Sequence, residues 1–220
     1  VSTAAARAPV SKPIAASRPM MACSVSSASM CFMQSSTSGR VACRLTATRA
    51  LEIEPDLAAG HGALGSVHMY YDWDWKAAEA GIRRALRLAP DDSLLIVRAA
   101  NLLLNLGQVD EAAALVARAL ALDPLNAAAH LLSGWLESLA GRLAESERAC
   151  RKALALGPNR MKIHFRLCDL HLLQGRADDA LQEAEREVED PFRLLGIALA
   201  ERALGHAAES DAALDELIRE

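Results

Sequence analysis

The sequence predicts an all-α solenoid, a stack of antiparallel helix pairs, and three observations predict it. Pro90, Pro124 and Pro158 stand 34 residues apart, and each closes the same kind of helical segment: AGIRRALRLAP, VARALALDP and RKALALGP. Gly107, Gly141 and Gly175 recur at the same interval in LNLGQVDEA, ESLAGRLAES and LLQGRADDA. A glycine there supplies the φ > 0 conformation that ends the first helix of a pair. The composition agrees, since 52% of residues are hydrophobic but only 4% aromatic. The apolar mass is therefore Ala and Leu, the material of helices packed closely together.

Small side chains align once the prolines are set at position 32 of the unit. Position 8 is Gly65, Ala100, Gly134 and Cys168; position 20 is Ala78, Ala112, Ser146 and Ala180. Position 27 gives Ala85, Ala119 and Ala153, then departs at Glu187. These are the places where two helices approach most closely. On these residues the chain resembles the tetratricopeptide repeat (TPR) family over residues 41–220. The resemblance implies a right-handed superhelical solenoid whose concave face binds other proteins.

The elements follow in order. Residues 41–55 read as the second helix of an incomplete repeat, in VACRLTATRALEIEP. Four repeats occupy 56–90, 91–124, 125–158 and 159–190, the first carrying one extra residue in the turn YYDWDWKAAEA. A degenerate fifth, 191–220, has Gly205 in the turn and Ser210 at the small position. No polar capping helix follows it, so both ends read as cut, with self-association through them expected. A lone pair buries too few Leu and Ile, at about 1.5–3 kcal/mol each, to offset roughly 1–2 kcal/mol of backbone entropy per ordered residue. Stability belongs to the array.

Residues 1–40 differ in kind, with ten Ser, four Met, no Leu and no acid. Such a composition builds no core and predicts a disordered tail. Leucine is absent through residue 44 and frequent afterwards, which fits a passive tail, a frameshift or a wrong start better than an organellar transit peptide. The first 51 residues hold six basic side chains and no acid, leaving 18 basic against 28 acidic in the remainder. An acidic array repels phosphate backbones, so nucleic acid is not an expected partner of the repeats. No run of 18 apolar residues exists to span a membrane. Five cysteines without metal-ligand spacing predict a reduced, cytoplasmic array.

Candidate chemistry reduces to packing. His164, Cys168 and His171 share a helical face, but they hold positions 4, 8 and 11, and His61 and His130 also hold position 4. The histidines recur because the slot recurs, so no metal is expected. Cys150 and Cys168 fall on buried positions and are expected to be inert. In the DWDW turn an Asp is expected to cap the next helix and Trp75 to anchor packing. No nucleophile motif or phosphate-cradling loop is present, so neither catalysis nor a cofactor is expected.

What remains is the concave face, lined in this family by positions 2, 5, 6, 9, 12 and 13. These give Arg98, Asn101 and Asn105 in the second repeat, Trp135 and Ser138 in the third, and Lys162, Phe165, Arg166 and Asp169 in the fourth. Trp135 and Phe165 either form a recognition hot spot or pack on each other between repeats. Co-chaperone TPR domains hold a C-terminal carboxylate with a Lys, Asn, Asn, Lys, Arg clamp. Asn101, Lys162 and Arg166 match it, but Val97 and Leu132 stand where the first Lys and the middle Asn belong. Tight carboxylate capture is therefore not expected, and a basic and aromatic groove for an acidic peptide is. A narrower likeness rests on HMYYDWDWKAAEAGIRRAL and FRLLGIALAERALGHAAESDAALDELI, which look like the C-terminal TPR regions of bacterial nucleotide cyclases and winged-helix regulators. It implies, as the alternative to a signalling scaffold, a regulatory fragment lacking its effector domain.

Overall fold

The computed structural model describes residues 37–157, 162–188 and 190–219; the tail expected over residues 1–36 lies outside them. Eleven α-helices and no strand are found among the described residues. They are α1 (Thr37–Ile53), α2 (Ala58–Val67), α3 (Trp75–Leu88), α4 (Ser93–Asn105), α5 (Val109–Leu122), α6 (Ala127–Leu139), α7 (Leu143–Leu156), α8 (Ile163–Leu173), α9 (Ala177–Glu185), α10 (Asp190–Leu204) and α11 (Ala207–Arg219). Five pairs, from α2–α3 to α10–α11, stack in chain order behind α1. The first helix begins four residues before the boundary at 41.

Local chemistry sets the helix ends. Gly107, Gly141, Gly175 and Gly205 adopt φ of 77°, 76°, 74° and 89°. The amide after each donates to a carbonyl five residues back, as Gln108 does to Leu103 at 2.9 Å, which satisfies the helix end. Asp92 caps α4 by accepting from the amides of Leu94 and Leu95, and Asn126 caps α6 from that of Ala129.

The first repeat absorbs its extra residue differently. A π-turn spans His68–Asp72, and Trp73 takes the left-handed conformation (φ 56°) that glycine takes elsewhere. Asp74 then caps α3 by accepting from Ala77 N at 2.9 Å, as expected of this turn. Asp72 instead pairs with Arg44 of α1 and His68. Trp75 packs partly buried against Met69, Ala78 and Ile82.

Paired helices cross where side chains are smallest. A Cβ added to Gly65 would lie 3.1 Å from the Ala78 carbonyl oxygen; one on Gly134 would lie 2.7 Å from Cys150 Sγ and 3.2 Å from the Ser146 carbonyl oxygen. Ser146 and Ser210 each donate, at 2.8 Å, to the carbonyl of the residue opposite, Gly134 and Ala198. Every apolar cluster straddles two repeats: Met69, Ala78 and Ile82 meet Ala99 and Leu102, and Cys150 and Ala153 meet Ile163 and Leu167. On the outside, Arg84 and Arg118 hold equivalent positions and reach back about one repeat to Asp56 and Asp91.

The fourth repeat departs at Glu187. Its second helix, α9, has 9 residues where α3, α5 and α7 have 14. A glutamate cannot fill a slot built for alanine, so the helix stops short and the carboxylate turns inward. It accepts from the amides of Phe165 at 3.1 Å and Val188 at 3.0 Å. Glu187 thereby supplies the start of α8 with the acceptor that Lys162, at the N-cap, does not.

Gly134→Val is expected to lower stability by about 1–3 kcal/mol through overpacking at the crossing, measured by chemical denaturation. Adding Cys150→Ala should recover part of that loss, because the closest obstacle is Cys150 Sγ. Equal midpoints for parent and Gly134→Val would mean that the crossing has slack.

Candidate functional site

The position-4 histidines are turn braces. His61 and His130 each place Nε2 within 2.8 and 2.9 Å of the carbonyl oxygens of Pro55 and Pro124, six residues upstream. The carbonyl can only accept, so Nε2 carries the proton and locks the loop between repeats onto the next helix. His164 turns its Nδ1 instead to the buried carboxylate of Glu183 at 2.8 Å, while His171 is buried. No group of three metal-capable side chains gathers among the described residues. Cys150 and Cys168 are buried, and burial pushes their thiols up to about 11 and about 12. Neither offers a thiolate near neutral pH.

The side chains expected on the concave face interlock across repeats. Asn101 donates through Nδ2 to the Tyr70 hydroxyl, and Asn105 donates to the Asn101 carbonyl oxygen at 2.7 Å. Lys162 Nζ stands 5.8 Å from the centre of the same Tyr70 ring and 4.8 Å from that of Phe192. Residues of the second and fourth repeats thus meet the phenol of the first, and Lys162 links it to Phe192 of the fifth. Burial raises that phenol to about 12, opposed by the Asn101 hydrogen bond and the Arg98 charge.

A second cluster lies beside it. The Arg166 guanidinium sits over the Trp135 ring, 4.4 Å from its centre, and its Nη1 is 3.8 Å from the Asp169 carboxylate. Trp135, Ser138, Arg166 and Asp169 line a narrow cleft with Gly134 and Ser146 at its floor. Burial pushes the Asp169 carboxyl from its ordinary 3.8 up to about 6, with Arg166 pulling the other way.

The structure sorts the nine residues named from the sequence. Arg98, Asn101, Asn105, Ser138, Lys162, Arg166 and Asp169 are half-buried. Phe165 does not: it is 2% exposed, and its ring packs 5.5 Å from Phe192. Trp135 is 9% exposed and forms floor beneath Arg166. The two rings therefore pack on other partners rather than on each other. Sequence reasoning did not single out Phe192, the apolar wall under Lys162, although it stands on the opening helix of the fifth repeat.

The tetratricopeptide repeat family model matches residues 97–160 and 140–193. Over 89 residues the chain is 34% identical to the TPR repeat-containing thioredoxin TTL4 of Arabidopsis thaliana, a match covering 40% of this chain and 13% of that protein. The fold is similar to that of a thermophilic TPR protein of Thermus thermophilus, with a TM-score of 0.67 and 19% identity over 74% of this chain and 90% of that one. It is also similar to PilW, a type IV pilus biogenesis factor, with a TM-score of 0.63 and 21% identity over 92% and 93% of the two chains. A further likeness, to the Cut9–Hcn1 APC/C hetero-tetramer, has a TM-score of 0.69 and 14% identity, covering 81% of this chain and 36% of that one. At these identities the structural likeness is one of fold. Residues 97–193 carry tetratricopeptide repeats, and the fold of the chain is that of a TPR solenoid.

A carboxyl whose folded pKa lies above its unfolded value is favoured in the neutral form. Its stabilising contribution is present below the unfolded value of 3.8 and lost as the pH rises through about 6. Asp169→Asn removes that loss. Thermal melts are expected to show the variant gaining on its parent between about pH 4 and 6 and keeping that gain above, by at most about 3 kcal/mol at 1.36 per pKa unit. A difference that does not change between pH 4 and 7.5 would show that Asp169 titrates as an exposed acid.

Proposed function

We propose that this chain, an array of tetratricopeptide repeats, is a non-catalytic scaffold that takes an acidic peptide or the acidic surface of a partner domain on its concave face. One observation carries the reading. Arg98, Asn101, Asn105, Lys162 and Arg166, drawn from two separated repeats, are gathered around Tyr70 and Trp135 on a single surface. Three cations and two amides on that strip meet one carboxylate, Asp169, whose charge burial disfavours.

The chemistry suits an extended anionic chain. Each guanidinium or ammonium offers donors to carboxylates, and charge-assisted hydrogen bonds contribute about 1.5–3 kcal/mol each. The amides of Asn101 and Asn105 can read a peptide backbone in either direction, since each has a donor and an acceptor. Trp135 and Phe192 act from beneath, holding the cations in place by their ring faces. The buried thiols and the structural histidines leave no nucleophile–base pair on this face.

The test is fluorescence anisotropy with a labelled ten-residue Glu/Asp-rich peptide and its Gln/Asn counterpart. The acidic peptide is expected to bind at least about tenfold tighter, with affinity falling as salt rises. The double variant Lys162→Ala, Arg166→Ala should abolish the difference while its circular dichroism stays that of the parent. Equal binding of both peptides, or an unchanged double variant, would remove the groove assignment.

A further inference from the structure

We infer, on the groove reading above, that Asp169 is a resident counter-charge to Arg166 whose protonation is coupled to ligand binding. The groove therefore takes an acidic ligand more tightly at mildly acidic than at mildly alkaline pH.

Arg166 and Asp169 stand one turn apart on α8, with Nη1 and the carboxylate 3.8 Å from each other. That is ion-pair distance but longer than a hydrogen bond. The carboxylate thus offsets the charge of the guanidinium without fastening its donors. Those donors lie in the plane of the group, and Trp135 sits beneath it with its ring centre 4.4 Å away. Among the described residues, Arg166 is the one basic group within ion-pair distance of Asp169.

A ligand carboxylate that reaches Arg166 meets a second carboxylate already beside it. Two carboxylates at one cation repel, and the less hydrated of them takes up a proton. Asp169 is placed to be that one. It shares a narrow cleft with Trp135 and Ser138 of α6 and with Ser146 and Cys150 of α7. Burial there holds its carboxyl up at about 6 before any ligand arrives. Of the groups facing it, the Cys150 thiol and that of Cys168, next to it on α8, are held up at about 11 and about 12 and stay neutral. Helices α9 and α10 also pack on α8, but Glu183 of α9 faces His164, and Asp190 of α10 faces Arg193. Arg166 is the one charge that acts on the Asp169 carboxyl among the described residues.

The test titrates the labelled Glu/Asp-rich peptide and its Gln/Asn counterpart into the parent protein at pH 7.5 and pH 5.5. Carboxylates of the peptide, with pKa values of about 3.9–4.3, stay ionised at both. Asp169 passes from ionised to mostly neutral between them, so the parent is expected to bind the acidic peptide at least about fivefold tighter at pH 5.5. Asp169→Asn should bind at pH 7.5 nearly as the parent does at pH 5.5, and should lose most of the pH dependence. The histidines are common to both proteins and cancel in that comparison. In an Arg166→Ala background, Asp169→Asn should change nothing, which separates competition at Arg166 from the loss of one negative charge. Three results would overturn the coupling: binding by Asp169→Asn at pH 7.5 no tighter than the parent's, a pH dependence equal in both proteins, or a gain that persists without Arg166. The first would make Asp169 a support that positions Arg166. Acidic and neutral peptides that bind alike at both pH values would remove the groove reading as well, whereas an acidic preference indifferent to pH and to Asp169 removes the coupling alone.

Discussion

Close approach of two helices at a single small residue is the constraint on which this structure depends. At Gly65 and Gly134 there is no room for a side chain, and the opposing backbone carbonyl is about 3 Å from where one would begin. That contact fixes the angle within each pair, and the angle fixes how the next pair stacks. Because the clusters of buried side chains span neighbouring repeats, no pair is complete alone. The two irregular repeats show how the constraint is kept under insult. The first accommodates an inserted residue in a π-turn, away from the crossing. The fourth, given a glutamate in an alanine slot, shortens its helix and uses the carboxylate to cap its own first helix.

Curvature then determines the chemistry of the concave face. Stacking five pairs with a constant angle brings the first repeat opposite the fourth, close enough for Lys162 to stand over Tyr70. Water is scarce in so narrow a space, which is why a phenol and a carboxyl on this face both have their neutral forms favoured. Lys162 and Arg166 lie on aromatic rings, whose negative faces replace part of the lost hydration.

Much of this was legible in the sequence, and the limits have a physical cause. The prolines and hairpin glycines gave the period because each marks a backbone conformation that few other residues adopt. The small positions were legible for the same reason, since a close crossing tolerates little else. The recurrence of histidine at position 4 was visible, but not its bond to the proline carbonyl six residues back, which depends on the loop's path. The departure at Glu187 was visible without its purpose. Least legible was the division of the concave residues into floor and surface. Phe165 is buried against Phe192 of the next repeat. Trp135 is covered because Arg166 lies on it. Both outcomes turn on side chains 27 and 31 residues away. The likeness to cyclase and regulator repeat regions rests on short segments, and none of the relatives described above belongs to either class.

The two apolar departures from a carboxylate clamp acquire a structural reason. Val97 and Leu132 are 6% and 8% exposed and belong to the same cluster as Ile96, Ala129 and Trp135. A lysine at Val97 would bring an ammonium stem against that cluster, and an asparagine at Leu132 would leave an amide without a partner, each at a cost of roughly 1–3 kcal/mol. Both positions are closed to a polar group because the second and third repeats pack there. The remaining polar groups come from two helices, Arg98, Asn101 and Asn105 from α4 and Lys162, Arg166 and Asp169 from α8, and Tyr70 bridges Asn101 and Lys162. A pincer around one terminal carboxylate needs its charges together.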